Sequence, residues 1–179
     1  PLSIVLDPVM VSSSGHRLLS VEAQAVIKQK LLPMATLITP NLPEMEALTG
    51  LPLSTYKEKE KAARCLMNSG AKAILLKGGH EEGDVKTDIL FSNSATGIQS
   101  TLFTSETVAT RNIHGTGCTL SSAITAFLAR GLALEEAIVE AKKYISNAIQ
   151  SGADIAIGHG FGPVNHGFNP LKMQVNVNQ

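Results

Sequence analysis

The sequence has no tryptophan, two tyrosines and two cysteines, Cys65 and Cys118, with no C-x-x-C spacing. Scarce aromatics remove the stacking platforms that hold single-stranded nucleic acid. Lys+Arg and Asp+Glu balance at 15 each, so the net charge is zero and the basic footprint of a nucleic-acid binder is missing as well. Two cysteines do not make the disulfide framework of a small secreted domain, and reduced thiols in a cytoplasmic protein are expected. No apolar run approaches the roughly 20 residues of a membrane span, so no membrane partner is expected. Charged residues reach only 17% against 44% hydrophobic, whereas about a quarter charged is usual. That bias toward burial excludes disorder as a description of the chain. The first residue is Pro1, and Pro1 to Asp7 already reads as a strand with no charged leader before it. A domain that opens inside a strand is expected to be a cut one.

What is present is an alternation of apolar runs and helical patterns. Residues 3–7 and 35–39 read as short buried strands. Between them, residues 21–32 form a helical pattern with apolar positions at Ala23, Val26, Ile27 and Leu31. Ser20 suits the N-cap of that helix, and Glu22 suits its first turn. A helix after Asn41 stops at Gly50, and one over residues 57–68 buries Ala63, Leu66 and Met67 ahead of Gly70. Residues 73–77 are a very apolar strand ended by Gly78-Gly79. Residues 87–92 and 99–107 read as two antiparallel strands around the polar turn 93–97. Two helices follow, one presenting Leu120, Ala123, Ile124, Phe127 and Leu128, the other Leu134, Ile138, Ala141, Ile145, Ala148 and Ile149. Residues 1–170 are expected to belong to one domain and residues 171–179 to be a tail. The pattern predicts an α/β domain with a mostly parallel sheet and helices on both faces, whose ligands bind at the carboxyl ends of the strands.

Four segments could carry chemistry. His114-Gly115-Thr116-Gly117-Cys118-Thr119 runs directly into an apolar helix. Two glycines allow close backbone approach, and the helix N-terminus offers unpaired N–H groups to an anion such as phosphate. The spacing is neither a Walker A loop nor a dinucleotide fingerprint. A thiol in the first helical turn faces the positive end of the dipole, which suits Cys118 as base or nucleophile. A plain loop feeding a buried helix, with Cys118 as a small core residue, explains the spacing equally well. Asn41, Pro43 and Glu44 form a capping-box pattern, and the same polar groups could face a metal–phosphate cluster. Lys77 is either a snorkelling strand-end lysine or a cation over nucleotide phosphates. Asp7, before Pro8, is either a turn initiator or a carboxylate that holds Mg²⁺ through water. His16, His159 and His166 have no metal-ligand spacing and read as structural or loop residues.

Taken in order, these segments resemble the hydroxymethylpyrimidine/phosphomethylpyrimidine kinase family of thiamine biosynthesis, within the ribokinase-like superfamily. The resemblance is carried by Asp7-Pro8-Val9-Met10-Val11 with Ser14-Gly15, and by Leu31-Leu32-Pro33. It continues in Leu37-Ile38-Thr39-Pro40-Asn41-Leu42-Pro43-Glu44, in Leu76-Lys77-Gly78-Gly79-His80 and in His114 to Ala123, and ends with His159-Gly160-Phe161-Gly162-Pro163-Val164. Order and spacing agree from the first residue to about His166.

The resemblance implies a three-layer α/β/α fold, incomplete on its N-terminal side, because the family's early G-x-D-x-x-G-G-A-G-I-Q-A-D segment is not in the sequence. It implies ATP and Mg²⁺ as cofactors, and hydroxymethylpyrimidine and its monophosphate as small-molecule substrates. It also implies a homodimer, for which residues 87–107 could supply contact strands. Gly115, Thr116, Gly117 and Cys118 would form the catalytic anion hole. Cys118, where most of the superfamily carries Asp, would take the hydroxyl proton and touch substrate. Lys77 and Asn41 would serve ATP and its phosphates, Asp7 and Glu44 the metal, and Val9 the pyrimidine pocket. A pyridoxal-type or dual-specificity vitamin kinase, or a non-catalytic ATP-binding fragment, is the alternative.

Overall fold

The computed structural model describes residues 2–10, 18–78 and 83–170. Val11, Ser14, Gly15, His16, Gly79, His80 and the tail 171–179 lie outside the described residues. The elements in chain order are β1 (Val5–Leu6), α1 (Val21–Val26), β2 (Leu37–Ile38), α2 (Leu42–Thr49), α3 (Tyr56–Asn68), β3 (Ala73–Leu76), β4 (Val85–Ser94), β5 (Gly97–Glu106), α4 (Thr116–Ala129) and α5 (Leu134–Gly152). The strands form one sheet in sequence order. β1, β2 and β3 run parallel, and β4 and β5 extend the sheet as an antiparallel hairpin. The hairpin expected around residues 93–97 is therefore present, with longer strands than the alternation alone marked.

The strand period of two explains how one sheet serves two cores. Ile38, Ile74, Leu76, Ile89 and Phe91 project to one face, where they meet Met45 and Leu48 of α2 and Ala62, Ala63 and Leu66 of α3. Leu37, Ala73, Leu75, Leu90 and Phe103 project to the other, against Leu120 and Ile124 of α4 and Ile138, Ala141, Ile145 and Ala148 of α5. The result is the expected α/β/α layering, with the apolar faces read from α4 and α5 turned inward.

Two expectations need correction. β1 is half-buried rather than buried; among the described residues it pairs with β2. The helix expected over residues 21–32 begins as drawn, with Ser20 Oγ accepting the Ala23 N–H. It remains α-helical only to Val26, then continues as a π-turn over Ile27–Leu31 and a 3₁₀ turn over Leu32–Met34. Pro33 has no N–H to carry the α ladder forward. Val26 and Leu31 of the expected apolar face are exposed, while Leu32 is the residue that reaches the core. Among the described residues, no helix is long and apolar enough to cross a membrane.

Candidate active site

The carboxyl ends of the three parallel strands and the N-terminus of α4 meet at one edge. Asp7 follows β1 and Lys77 follows β3. Their side chains pair at 2.9 Å, with the Lys77 Nζ donating to Asp7 Oδ1. Thr39, fully buried after β2, donates its hydroxyl to the same oxygen at 3.1 Å. Asp7 Oδ2 is buried and has no hydrogen-bond partner among the described residues.

Asn41 and Glu44 make the full capping box at the start of α2. Asn41 Oδ1 accepts the Glu44 N–H at 2.8 Å, and Glu44 Oε2 accepts the Asn41 N–H at 2.8 Å. Gly50 ends the helix in the left-handed region at φ 70°. The same Glu44 Oε2 stands 4.0 Å from Lys77 Nζ, with the Glu44 side chain almost wholly buried. Burial pushes the Glu44 carboxyl above its ordinary value. The Asn41 N–H and then the Lys77 charge oppose that rise, and the Asp7 charge adds to it. Capping and a place in the charged cluster are thus both true of Asn41 and Glu44. The backbone joins them to the lysine, because the Lys77 N–H donates to Pro40 C=O at 2.8 Å.

α4 enters from the other side of this cluster. Gly115 takes φ 84°, a conformation costly to any residue with a Cβ, and so turns the chain into the helix. The first intrahelical bond runs from the Thr119 N–H to Gly115 C=O at 2.9 Å, which leaves the Gly117 and Cys118 N–H groups ahead of the ladder. A Cβ on Gly117 would stand 3.2 Å from Lys77 Nζ and 3.8 Å from Asp7 Oδ2. The glycine loop is therefore in direct contact with the cluster. Cys118 is exposed, which overturns its alternative reading as a core residue. Val9, two residues beyond Asp7, is 40% exposed.

The motif His159 to Val164 braces this loop. The His114 N–H donates to Gly162 C=O at 3.0 Å. Asn112 Nδ2 binds the carbonyls of Gly152 and Ile155 at 2.7 Å each. Any Cβ on Gly162 would overlap Asn112 Oδ1. Thr119 Oγ1 donates to Gly115 C=O at 2.7 Å and pairs with His166 Nε2 at 2.9 Å. His166 is thus a support of the loop, as its structural reading held.

The structure brings Asp7, Asn41, Glu44, Lys77 and Gly117 together, with Cys118 next in the chain. Thr39 belongs to the strand-end segment 39–41, where the strand-end rule expects ligands, but its bond to Asp7, 32 residues away, has no local signal in the sequence. No group of three His, Cys, Asp or Glu residues placed to hold a metal ion occurs among the described residues. A groove of about 650 Å³ between β5 and α5 is lined by Glu106, Lys142 and Asn147, among others, and includes none of the clustered residues.

Comparison with known proteins assigns this architecture. The pyridoxal kinase of Staphylococcus aureus, solved in complex with AMP-PCP, superposes with a TM-score of 0.81 at 32% identity, covering 95% of this chain and 60% of that one. A phosphomethylpyrimidine kinase of Clostridium difficile gives a TM-score of 0.69 at 38% identity, covering 83% and 58%. The fold is thus that of the ribokinase-like kinases. More narrowly, the chain belongs to the phosphomethylpyrimidine kinase family, whose model matches residues 1–165. It is 44% identical over 172 residues to the hydroxymethylpyrimidine/phosphomethylpyrimidine kinase of Staphylococcus aureus strain Mu50. That alignment covers 95% of this chain, and the chain spans 60% of that relative's length.

Proposed function

We propose that these residues are the phosphate-handling portion of an ATP-dependent kinase. It phosphorylates 4-amino-5-hydroxymethyl-2-methylpyrimidine, and then the monophosphate to the diphosphate, in thiamine biosynthesis. The observation that carries this reading is the contact of the Lys77–Asp7–Glu44 cluster with Gly117 at the start of α4. One ammonium against two carboxylates leaves an edge suited to a cation, and the helix N-terminus beside it suits phosphate. The unpartnered Asp7 Oδ2 fits Mg²⁺, which takes one or two carboxylates, water and substrate phosphates rather than an all-protein cage. Asp7 and Glu44 would hold Mg²⁺, directly or through water; when bound, it neutralises charge on the phosphates.

In this reading Lys77 binds ATP phosphates and Asn41 keeps Glu44 in place beside them. The backbone N–H groups of Gly115 to Cys118 stabilise charge on the transferring phosphoryl group. Cys118 Sγ takes the proton of the substrate hydroxyl as that oxygen attacks the γ-phosphorus in line, and ADP leaves. No covalent enzyme intermediate is required. Val9 lines the pyrimidine pocket. Residues 1–170 form the C-terminal portion of the kinase domain. A pyridoxal-type kinase is the second reading, favoured by the S. aureus neighbour's higher TM-score but not by identity, at 32% against 44%.

The test is ATP-dependent phosphorylation of hydroxymethylpyrimidine and pyridoxal side by side, with Cys118→Ala as the probe. Loss of a general base lowers turnover about 100-fold or more, while nucleotide affinity stays near that of the parent. Normal turnover in the variant overturns the role of Cys118. Phosphorylation of neither compound by the parent overturns the kinase reading for this chain.

A further inference from the structure

Asp88 and Lys142 form an ion pair that has no part in the assignments above. Asp88 is on β4, one residue before Ile89, which closes the β3–β4 ladder opposite Leu76. Lys142 is in the middle of α5, and both residues are at most 9% exposed. Lys142 Nζ donates to Asp88 Oδ2. The other carboxylate oxygen, Oδ1, accepts the N–H of Gly78 at 2.9 Å. Gly78 directly follows Lys77, whose own N–H goes the opposite way, to Pro40 C=O. As the chain leaves the sheet, one amide is therefore held by the extension of β2 and the next by a side chain of β4. There is no slack at this point, since a Cβ on Gly78 would stand 1.9 Å from the Thr87 carbonyl oxygen.

A buried ion pair is a poor stabiliser, because desolvation offsets its attraction and apolar residues of matching size often serve the fold as well. Its position supplies a different use. A carboxylate makes a stronger bond to an amide than a neutral acceptor does, and Lys142, on the second oxygen, fixes the orientation of the group. We propose that Asp88, oriented by Lys142, is a positioning residue for Lys77. It pins the Gly78 amide and so sets the backbone from which the Lys77 ammonium reaches Asp7 and the α4 N-terminus. The consequence for nucleotide binding rests on the kinase reading; the pinning of Gly78 does not.

Two double variants separate this role from plain stability. D88N/K142M and D88L/K142M both lack the ion pair, and both avoid the unpaired buried charge that a single substitution leaves. Only the first keeps a carbonyl that can accept the Gly78 N–H. The readouts are hydrogen exchange at the Gly78 amide, the melting temperature and the affinity for Mg²⁺–AMP-PCP by calorimetry. The two variants should melt at similar temperatures. D88L/K142M should lose protection at Gly78 and bind the nucleotide about tenfold more weakly, the scale of a small misplacement of a binding group. D88N/K142M should stay within about threefold of the parent on both. Should D88L/K142M not fold, D88A/K142M takes its place with the same expectation. Parental Gly78 protection and affinity in the folded variant without the acceptor, or equal losses in both doubles, would overturn the proposal. If the parent itself binds no nucleotide, the kinase reading fails, and Gly78 exchange still decides the positioning.

Discussion

Gly117 is the second residue of α4 and is not among the glycines with positive φ. An alanine there needs no strained backbone. Its Cβ would stand 3.2 Å from Lys77 Nζ and 3.8 Å from Asp7 Oδ2. Removing a glycine from a compatible position stabilises a fold by about 0.4–1 kcal/mol, mainly through the unfolded chain. Against this, Nζ must give way by a few tenths of an ångström, which strains a flexible side chain by about 0.5–1.5 kcal/mol at most. The net effect of Gly117→Ala on stability is therefore near zero, within about 1 kcal/mol either way. Phosphate handling should change far more. The methyl group fills the space between the start of α4 and the lysine, where the proposed function puts a phosphate oxygen. Displacement of binding groups on this scale costs about 10- to 100-fold in affinity or rate. Urea unfolding followed by circular dichroism measures the first quantity, and calorimetric titration with Mg²⁺–AMP-PCP measures the second. A variant that unfolds readily, or one that binds nucleotide like the parent, would refute this account of the α4 N-terminus.

Two further outcomes follow from the same edge. Gly78→Ala drives its Cβ into the Thr87 carbonyl oxygen, with a separation of 1.9 Å if nothing moves. Because backbone rather than a flexible side chain must yield, the expected loss is about 3 kcal/mol or more in urea unfolding, and parental stability would contradict the close packing of β3 on β4. Glu44 has a folded-state value raised above its ordinary one, chiefly by burial. The folded chain thus holds this proton more tightly than the unfolded chain, and Glu44's contribution weakens as pH rises from the ordinary glutamate value through the raised one. The stability of Glu44→Gln minus that of the parent should therefore increase with pH across that window, and a flat difference in paired denaturation series would remove burial as the dominant influence.

The local rules were legible in the sequence because the residues that enforce them are neighbours. Asn41 and Glu44 are three residues apart, and their reciprocal bonds follow from the helix geometry that their spacing assumes. Lys77 at the end of an apolar strand, and glycines ahead of an apolar helix, were likewise read from adjacent residues. That these segments meet, with Gly117 against Lys77 and Asp7, is a property of the sheet order. The parallel register of β1, β2 and β3 places three strand ends side by side. The resemblance supplied that order where periodicity did not. Asp88 and Lys142 lack a local signature for the same reason, since they are 54 residues apart. The signal available was a lysine on the inward face of α5, between Ile138 and Ile145, where an unpaired charge would be costly. The π-turn after α1 was illegible in another way. Its apolar spacing matched an α-helix, and the missing N–H of Pro33 acts on bonds that begin several residues earlier.

Lys77 gives the site a fixed point. It leaves a strand flanked on both sides by β2 and β4. Its own N–H is tied to Pro40 C=O at 2.8 Å, and the next amide, of Gly78, to Asp88 Oδ1 at 2.9 Å. Strands in the middle of a sheet open at higher free energy than loops and margins. The ammonium is thus carried by one of the least yielding parts of the fold, and an anion arriving at this edge meets a charge whose place is already set.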